Sequence, residues 1–224
     1  MSPKYIASRR YWNKVFAGLP PFDSRTPLAD RPLENALRWL SEGSHCTIDF
    51  GCGRGRCLLR SLVLGAKKGV GIDISVSAIS TAKRIARTNK LSRRAEFRCG
   101  GTRLLSHLAS ASFDSGILFN IIDNLLPEDA LRVLGEFRRL VKPHGRILLK
   151  LNDFVEPSKL TSEYGATRIF DGLYKEKTGL YLWNLSDKEV RDLVARFFTI
   201  EKSQRISLGK TGQFNRLYYL RNGA

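Results

Sequence analysis

The residues best suited to bind a ligand lie in the segment from Thr47 to Leu59, T-I-D-F-G-C-G-R-G-R-C-L-L. A β-branched apolar stretch carries the carboxylate of Asp49, and three alternating glycines follow at Gly51, Gly53 and Gly55 before an amphipathic stretch begins. Glycine permits positive φ angles and close approach of backbone to a ligand, and a helix start presents free N–H groups. The segment therefore predicts a strand, a ligand-binding loop and a helix.

Three kinds of glycine loop share this general form, and their spacing separates them. A phosphate loop needs G-x-x-x-x-G-K-[ST], and no Lys followed by Ser or Thr stands at that place. A dinucleotide loop, G-x-G-x-x-G, needs glycine where Arg56 stands, although looser variants of that motif exist. The third form, D-x-G-x-G-x-G, resembles motif I of the class I S-adenosylmethionine-dependent methyltransferases, and this sequence matches it at Asp49, Gly51, Gly53 and Gly55.

The resemblance implies S-adenosylmethionine as the cofactor and gives roles to residues near the motif. In the family, the acid at the position of Asp49 helps to hold the ammonium group, and the turn at Gly51, Cys52, Gly53 and Gly55 lines the methionine moiety. A second apolar stretch, K-G-V-G-I-D-I-S, ends in a carboxylate that matches the family's ribose-binding acid. These matches imply that Asp73 binds the ribose diol and that Ile74 packs on adenine.

The sequence departs from the family after the third predicted strand, where a carboxylate usually takes the adenine amino group. Here the strand ends in C-G-G-T, and backbone groups around Gly101 or the Thr102 hydroxyl are the candidates to replace that carboxylate. The segment F-N-I-I-D-N-L matches the stretch that runs under the methionine end in the family. It implies cofactor contacts from Asn120 and Ile121, and it is not the [DN]-P-P-[FYW] signature of enzymes that methylate nucleobase amines.

Two residues are candidates for catalysis. Asp123 stands at the position of a general base, but a carboxylate before Asn124 is also an ordinary helix-entry residue. Tyr11 belongs to an aromatic amino-terminal segment and is the second candidate. Methyl transfer has no strict need for a base, because the sulfonium is already an activated leaving group and orientation accounts for much of the rate.

Apolar periodicity predicts alternating strands and helices, hence an α/β fold with a mostly parallel sheet covered by helices on both faces. The resemblance implies a Rossmann-like methyltransferase fold with seven strands and a carboxyl-terminal antiparallel hairpin. We expect one domain, in which residues 1–43 form a lid and a helix and residues 44–224 bind the cofactor. The predicted elements are strands at 46–50, 69–73, 95–98, 113–120, 146–151, 198–207 and 215–221, and helices that start after Asp30, cover 127–141 and follow Ser186. Turns are predicted at 142–145, where Pro143, His144 and Gly145 stand, and at 208–214 between the last two strands.

Two aromatic-rich segments are expected to form the wall that selects the substrate. The first, Tyr5 to Phe22, resembles the amino-terminal lid that the family often folds over its cofactor. The second is an insertion at 152–184, in which D-G-L-Y-K-E-K-T-G-L-Y-L-W predicts a small hairpin. The alternative is that these aromatic residues only pack the two segments onto the rest of the domain.

Charge is the second strong signal. The sequence contains 38 Lys and Arg residues and 21 Asp and Glu residues, so its formal net charge is +17. The densest part runs from Lys83 to Arg98, where Glu96 is the one acidic residue. Such a cluster is typical of a nucleic-acid footprint, but basic residues at a sheet edge also prevent aggregation. RNA or another polyanion is therefore a possible partner, and a solvated edge is the alternative.

These observations predict a methyltransferase that acts on a small molecule; the alternatives are an RNA or protein methyltransferase and a non-catalytic cofactor-binding or RNA-binding module. No window of about eighteen apolar residues exists, and the amino terminus lacks the apolar core of a signal peptide, so we expect a cytoplasmic protein without membrane contact. The four cysteines contain no C-x-x-C pair and the histidines are scattered. We expect no metal site, and we expect reduced thiols in or near the core.

Overall fold

The centre of the molecule is a seven-stranded sheet in which the two edges are built by different parts of the chain. The computed structural model describes residues 3–207 and 214–223. The strand order is β3-β2-β1-β4-β5-β10-β9, and β1 to β5 are parallel to one another. These strands are β1 (Cys46–Phe50), β2 (Lys68–Asp73), β3 (Ala95–Cys99), β4 (Phe113–Phe119), β5 (Val141–Asn152), β9 (Phe198–Ser207) and β10 (Phe214–Asn222).

The order of the strands produces a crevice at one edge. From β1 the chain proceeds outward through β2 to β3, then returns to the other side of β1 with β4 and β5. In an open parallel sheet, ligands bind at the carboxyl ends of the strands where this direction reverses. The glycine loop after β1 and the Asn120 segment after β4 both lie at that point. The predicted α/β class and the seven-stranded, mostly parallel sheet are confirmed.

The carboxyl-terminal pair also matches the expectation. Strand β10 runs antiparallel to both β5 and β9 and lies between them. Its side chains alternate between the two faces, so Leu217 packs in one apolar cluster and Leu220 in another. The turn predicted at residues 208–214 lies outside the described residues except for Phe214, which is the first residue of β10.

Helices cover both faces of the sheet, as predicted. On one face, Leu37 and Leu40 of α2 pack against Ile117 and Leu148. On the other face, Leu134 of α5 packs in the largest apolar cluster, with residues of β1, β4 and β5. The helices are α1 (Ile6–Ala17), α2 (Arg31–Ser41), α3 (Arg56–Val63), α4 (Val76–Thr88), α5 (Pro127–Leu140), α6 (Pro157–Ser162) and α7 (Asp187–Ala195).

Local sequence signals explain where two of these helices begin. Asp30 caps α2, since its carboxylate accepts a hydrogen bond from Leu33 N at 2.8 Å. Ser186 and Glu189 form the predicted capping box at the start of α7, with both reciprocal bonds present. Side-chain acceptors therefore satisfy amide groups that would otherwise lack partners at the helix starts.

The boundary between α5 and β5 differs from the prediction. The helix ends at Leu140, one residue early, and the strand begins at once at Val141 rather than at Arg146. Val141 pairs with Phe113, but the next pair is Arg146 with Ser115, so the predicted turn at residues 142–145 bulges out within the strand. The residues Pro143, His144 and Gly145 predicted the turn. No local pattern indicated the single strand pair before it, Val141 with Phe113.

The insertion forms a small sheet of its own beside the carboxyl edge of the main sheet. Strands β6 (Thr167–Phe170), β7 (Leu173–Lys175) and β8 (Tyr181–Trp183) are antiparallel in that order. The predicted hairpin is confirmed as β7 and β8, and β6 and α6 are additions that the sequence pattern did not indicate. No helix within the described residues is both long and apolar enough to cross a membrane.

Candidate cofactor and acceptor site

The glycine loop holds its shape through backbone geometry that glycine alone adopts easily. Gly51, Gly53 and Gly55 have φ angles of 79°, 52° and 76°. The amides of Gly51 and Cys52 both donate to the carbonyl of Ile72, at 2.8 and 3.1 Å. These bonds fasten the loop to the end of β2, so that the turn is fixed against the neighbouring strand before any ligand is present.

Close packing around the loop explains why larger residues are excluded. A Cβ atom at Gly55 would lie 2.7 Å from the ring of Phe97, and one at Gly53 would lie 3.1 Å from the ring of Phe16. A Cβ atom at Gly51 would lie 3.1 Å from the side chain of Ile121. The loop is therefore enclosed by β3, by the amino-terminal segment and by the segment after β4.

Two buried carboxylates flank the loop. Asp49 is 2% exposed and Asp73 is 8% exposed. One carboxylate oxygen of Asp73 accepts from Gly53 N and the other from Ser75 N, both at 2.8 Å. Burial raises the pKa of Asp73, while burial and the nearby Asp73 raise the pKa of Asp49 to about 8. Because both carboxyl groups resist ionisation, a cation bound beside them would stabilise their charged forms.

A cavity of about 620 Å³ extends from the carboxyl ends of β2 and β3 towards the start of α5. Among its walls are seven of the predicted cofactor-binding residues, which are Gly51, Asp73, Ile74, Gly101, Thr102, Asn120 and Ile121. A second cavity of about 190 Å³ is lined by Asp49, Cys52 and Gly53. Phe16, Gly51 and Phe119 line both cavities, so the two spaces meet at these residues. Gly55 lines neither cavity, because it forms the start of α3 behind the loop.

Asn120 is held in an unusual backbone conformation at the end of β4. Its φ angle is 50°, and its amide donates to Lys150 O at 2.7 Å. Its side chain bonds to Asn152 at 2.9 Å and accepts from the ammonium group of Lys150. The Lys150 ammonium also donates to Asn215 Oδ1 at 2.7 Å, and burial lowers the pKa of Lys150. A partly buried polar network therefore fixes the residue that follows β4.

Asp123 and Tyr11, the two candidates for catalysis, lie outside the walls of both cavities. The buried Asp123 carboxylate accepts from Asn152 N at 2.7 Å and from the Asn124 side chain at 3.2 Å. This geometry favours the structural role over that of a general base. Tyr11 packs edge-on against Trp12, with ring centroids 5.0 Å apart. On α1 it is Trp12, together with Ser8 and Phe16, that lines the larger cavity.

The part of the cavity beside the end of β3 has walls that the sequence indicated only in part. Leu104 and Arg103 line it beside the predicted Gly101 and Thr102. Across the cavity stands Asp129 of α5, a buried carboxylate that sequence reasoning did not consider. Cys99 is exposed and lines the same space, so the expectation of a core or near-core thiol is wrong for Cys99. Its position as the last residue of β3, an edge strand, explains the exposure.

The amino-terminal segment is attached to the rest of the site at both ends. The Tyr5 hydroxyl donates to Asp129 Oδ2 at 2.8 Å and accepts from Leu126 N at 3.1 Å, and its ring packs edge-on against Tyr181 of the insertion. Further along α1, Asn13 accepts from the Ser75 hydroxyl at 2.8 Å at the start of α4. The predicted lid therefore contacts α5, the insertion and α4 while it covers the cavity.

The fold and this site together define a class of protein. A seven-stranded sheet with an inserted antiparallel last strand, a D-x-G-x-G-x-G loop after β1 and an acid at the end of β2 are the features of class I S-adenosylmethionine-dependent methyltransferases. A family model described as a methyltransferase domain matches residues 41–189, more than half of the chain. The chain belongs to this methyltransferase family.

Relatives of known name share only part of their length with this chain. The ribosomal protein L11 methyltransferase of Pasteurella multocida is 32% identical over 112 residues, which cover 49% of this chain and 35% of the relative. The protein of that name from Gloeobacter violaceus is 28% identical over 163 residues, which cover 62% and 48%. The chain thus spans between a third and a half of the length of these two relatives.

Solved structures share the fold at low sequence identity. The 1,6-didemethyltoxoflavin-N1-methyltransferase of Burkholderia thailandensis, crystallised with its substrate and S-adenosylhomocysteine, has a TM-score of 0.68 at 19% identity, covering 88% of this chain and 80% of that one. The geranyl diphosphate C-methyltransferase of Streptomyces coelicolor has a TM-score of 0.68 at 13% identity, covering 100% and 98%. At this identity the likeness establishes the fold.

The residues of this chain fit S-adenosylmethionine. The cofactor carries a sulfonium and an ammonium group, and the site offers two buried carboxylates whose raised pKa values favour a neighbouring cation. It carries no phosphate, and the glycine loop has no lysine of the phosphate-loop type. A Cβ atom at Gly51 or Gly53 would lie only 3.1 Å from a neighbouring side chain. Glycine at both positions therefore lets the backbone of the loop approach a ligand closely.

Proposed function

We propose that the protein transfers a methyl group from S-adenosylmethionine to a small-molecule acceptor. One observation carries the proposal: a single cavity runs from Asp73 and Ile74 to Leu125 and Leu180, beneath α1 and beside the insertion. The larger cavity therefore has a cofactor end and a second end whose walls come from α1, α5 and the insertion. Such enclosed, mostly apolar clefts with a few polar groups are typical of small-molecule sites.

Each part of the site has a separate task in this proposal. Asp49 holds the ammonium end, Asp73 the ribose diol and Ile74 the adenine face, while the glycine loop supports the methionine chain. S-adenosylmethionine supplies an activated methyl group on sulfur. The chain's own contribution is orientation, since α1 covers the loop and the Asn120 network fixes the opposite wall.

The wall between the glycine loop and the acceptor end favours a planar or apolar molecule. Trp12 and Phe16 are nearly parallel, with ring centroids 5.4 Å apart, and Phe16 and Phe119 stand beside the loop where the two cavities meet. Aromatic faces of this kind bind apolar and aromatic ligands through burial and stacking. Because the Asp123 carboxylate is committed to Asn152 and Asn124, the proposal includes no base from that residue.

The test is a labelling experiment with a cell extract and cofactor that carries an isotope in its methyl group. We expect label in a low-mass fraction that survives nuclease and protease. The matched control is the Asp73→Ala protein, which should transfer no label above background. Label found only in material that protease or nuclease degrades would overturn the small-molecule acceptor while leaving methyl transfer intact.

An RNA or protein acceptor is the second candidate, and two observations favour it. The curated relatives carry the name of a ribosomal protein methyltransferase. The net charge of +17 also favours an acidic macromolecule. The third candidate, a non-catalytic module, predicts cofactor binding without label in any fraction, and the same extract experiment separates all three.

A further inference from the structure

One face of the molecule is basic without any acidic residue in the two elements that form it. The segments 3–22 and 76–95 contain ten Lys and Arg residues and no Asp or Glu. They meet in the fold, because the side chain of Asn13 on α1 bonds to Ser75 and Ser77 at the start of α4. Seven exposed residues form what we call the α1–α4 basic surface: Arg10, Lys14, Lys83, Arg84, Arg87, Lys90 and Arg93.

The helical spacing keeps these charges on one side. Arg10 stands three residues before Asn13 and four before Lys14, so both basic residues lie beside the part of α1 that contacts α4. Lys83 and Arg87 are also one turn apart, opposite the buried Ala82 and Ile85. The inner faces of both helices are used for packing or for the cavity, so the outer faces carry the charge.

None of these seven charged groups forms an ion pair in the part of the chain that the structure describes, although Arg98 and, more weakly, Lys83 lower the pKa of Glu96. Within the described residues, no carboxylate oxygen lies within 4.0 Å of the charged group of any of the seven. Glu96, the nearest acid along the chain, pairs with Arg98 at 2.7 Å. By contrast, Arg94 in the same stretch donates to the carbonyls of Leu62, Ala66 and Lys67 and has a structural role.

We propose that the α1–α4 basic surface binds single-stranded nucleic acid through its phosphate groups. Lys and Arg contacts to phosphates dominate this kind of binding, and they need no apolar centre. A specific protein interface needs an apolar or aromatic centre, and a membrane-bound helix needs a free apolar face. Trp12 and Phe16 of α1 line the cavity, so these two aromatic side chains supply neither.

Geometry favours a single strand over a duplex. An α-helix with side chains is about 10–12 Å wide, so two helices side by side are too broad for a major groove of about 12 Å. A flexible strand can follow such a face. Lys83 and Arg87 are about 6 Å apart along the helix axis, which spans about two nucleotides at ~3.4 Å each. This binding is independent of the acceptor proposed above.

The test measures fluorescence anisotropy of a labelled 20-nucleotide single-stranded RNA of mixed sequence between 50 and 200 mM NaCl. The variant combines Arg10→Gln, Lys14→Gln, Lys83→Gln, Arg84→Gln and Arg87→Gln. The control combines Lys159→Gln, Lys175→Gln, Lys177→Gln, Lys188→Gln and Lys202→Gln, which removes five exposed charges from the insertion, α7 and β9. Both variants carry the same net charge, so the comparison isolates position from total charge.

We expect the α1–α4 variant to bind RNA at least thirtyfold more weakly near 100 mM NaCl, and to lose about three units of the slope of log affinity against log salt, at ~0.7 per phosphate. The control should stay within about threefold of wild type. Equal losses in both variants, or no wild-type binding at micromolar concentration, would overturn the proposal. So would tighter binding of poly-glutamate or phosphatidylserine vesicles than of RNA. Unchanged S-adenosylhomocysteine affinity in both variants confirms folding and keeps this result separate from the proposed function.

Discussion

The two ends of the larger cavity are built in different ways. The cofactor end consists of backbone held in a fixed turn and of one buried carboxylate: the Gly51 amide donates to Ile72 O, and the Asp73 carboxylate accepts from Gly53 N. The other end consists of side chains from α1, α5 and the insertion. The first end has its geometry set before a ligand arrives, whereas rotation of a few side chains can reshape the second.

The largest expected effect comes from filling the space behind the glycine loop. Gly55→Ala places a Cβ atom 2.7 Å from the ring of Phe97 at a φ angle of 76°, so both overpacking and backbone strain oppose it. We expect a loss of about 3 kcal/mol in the free energy of unfolding, measured with urea. Gly135→Ala is the control, since its Cβ atom would meet Phe197 at 3.8 Å within α5 and should stabilise by about 0.5–1 kcal/mol.

If Gly55→Ala were as well tolerated as Gly135→Ala, the loop would not be the rigid end of the cavity. The two ends of the cavity would then not differ in rigidity.

The second prediction concerns the acid at the end of β2. Asp73→Ala removes the proposed ribose acceptor and also the partner of the Gly53 and Ser75 amides. We expect S-adenosylhomocysteine to bind about fiftyfold more weakly in calorimetry, which corresponds to about 2.3 kcal/mol. Asp114→Ala is a matched control, because that carboxylate also accepts two backbone N–H bonds, from His45 and Cys46, outside both cavities.

Thermal unfolding should show a loss in both variants, because each leaves two amides without their acceptor, and Asp114→Ala also removes the ion pair with Lys142 at 2.7 Å. Affinity that falls equally in both variants would mean that Asp73 acts through stability alone.

The third prediction is a dependence on pH with opposite directions for binding and stability. Because burial raises the pKa of Asp49 to about 8, its proton must leave before the carboxylate can hold a cation. We expect affinity for S-adenosylmethionine to rise about 25-fold between pH 6.5 and 8.5 and then to level off, measured by calorimetry. Unfolding of the free protein should show the reverse, since a raised pKa stabilises below the unfolded value of 3.8 and this contribution disappears as pH rises towards 8.

Asp49→Asn is the control for that titration and should remove most of the pH dependence of binding. A wild-type profile that is flat across this range would exclude Asp49 as the group that holds the cation.

The smallest expected effect belongs to the side-chain end of the cavity. Tyr5→Phe removes the hydroxyl that joins Asp129 and Leu126, and we expect a loss of about 1 kcal/mol in the free energy of unfolding. S-adenosylhomocysteine affinity should change by less than about threefold. Tyr164→Phe, at an exposed position of the insertion, is the control and should change neither quantity. A large loss of cofactor affinity in Tyr5→Phe would show that the two ends are not separate.

The sequence predicted most of the fold because its signals were local. Strand β1 ends where Asp49, Phe50 and the first glycine indicate, and the capping box at Ser186 gave the start of α7. Periodicity also predicted the first and last residues of β9 and β10 to within one residue of the observed strand ends. Errors arose where the boundary depends on a distant partner, as at Val141, whose pairing with Phe113 starts β5 five residues early.

The site was less predictable, because the direction of a side chain depends on tertiary packing. Asp123 stands at the expected position along the chain, but its carboxylate bonds to Asn152 rather than facing a cavity. On α1, helical position alone did not distinguish Tyr11 from Trp12 before the cavity was known. No sequence pattern marked Asp129 as a residue of the site, because an acidic residue in the first turn of a helix is common.

The most direct test of the account is a pair of calorimetric titrations of the wild-type protein at pH 8, one with S-adenosylhomocysteine and one with NAD. The arrangement of Asp49, the glycine loop and Asp73 predicts one molecule of S-adenosylhomocysteine per chain, bound at micromolar concentration, and no heat from NAD at the same concentrations. Binding of NAD in place of S-adenosylhomocysteine, or no binding of either up to about 1 mM, would contradict the assignment of the loop.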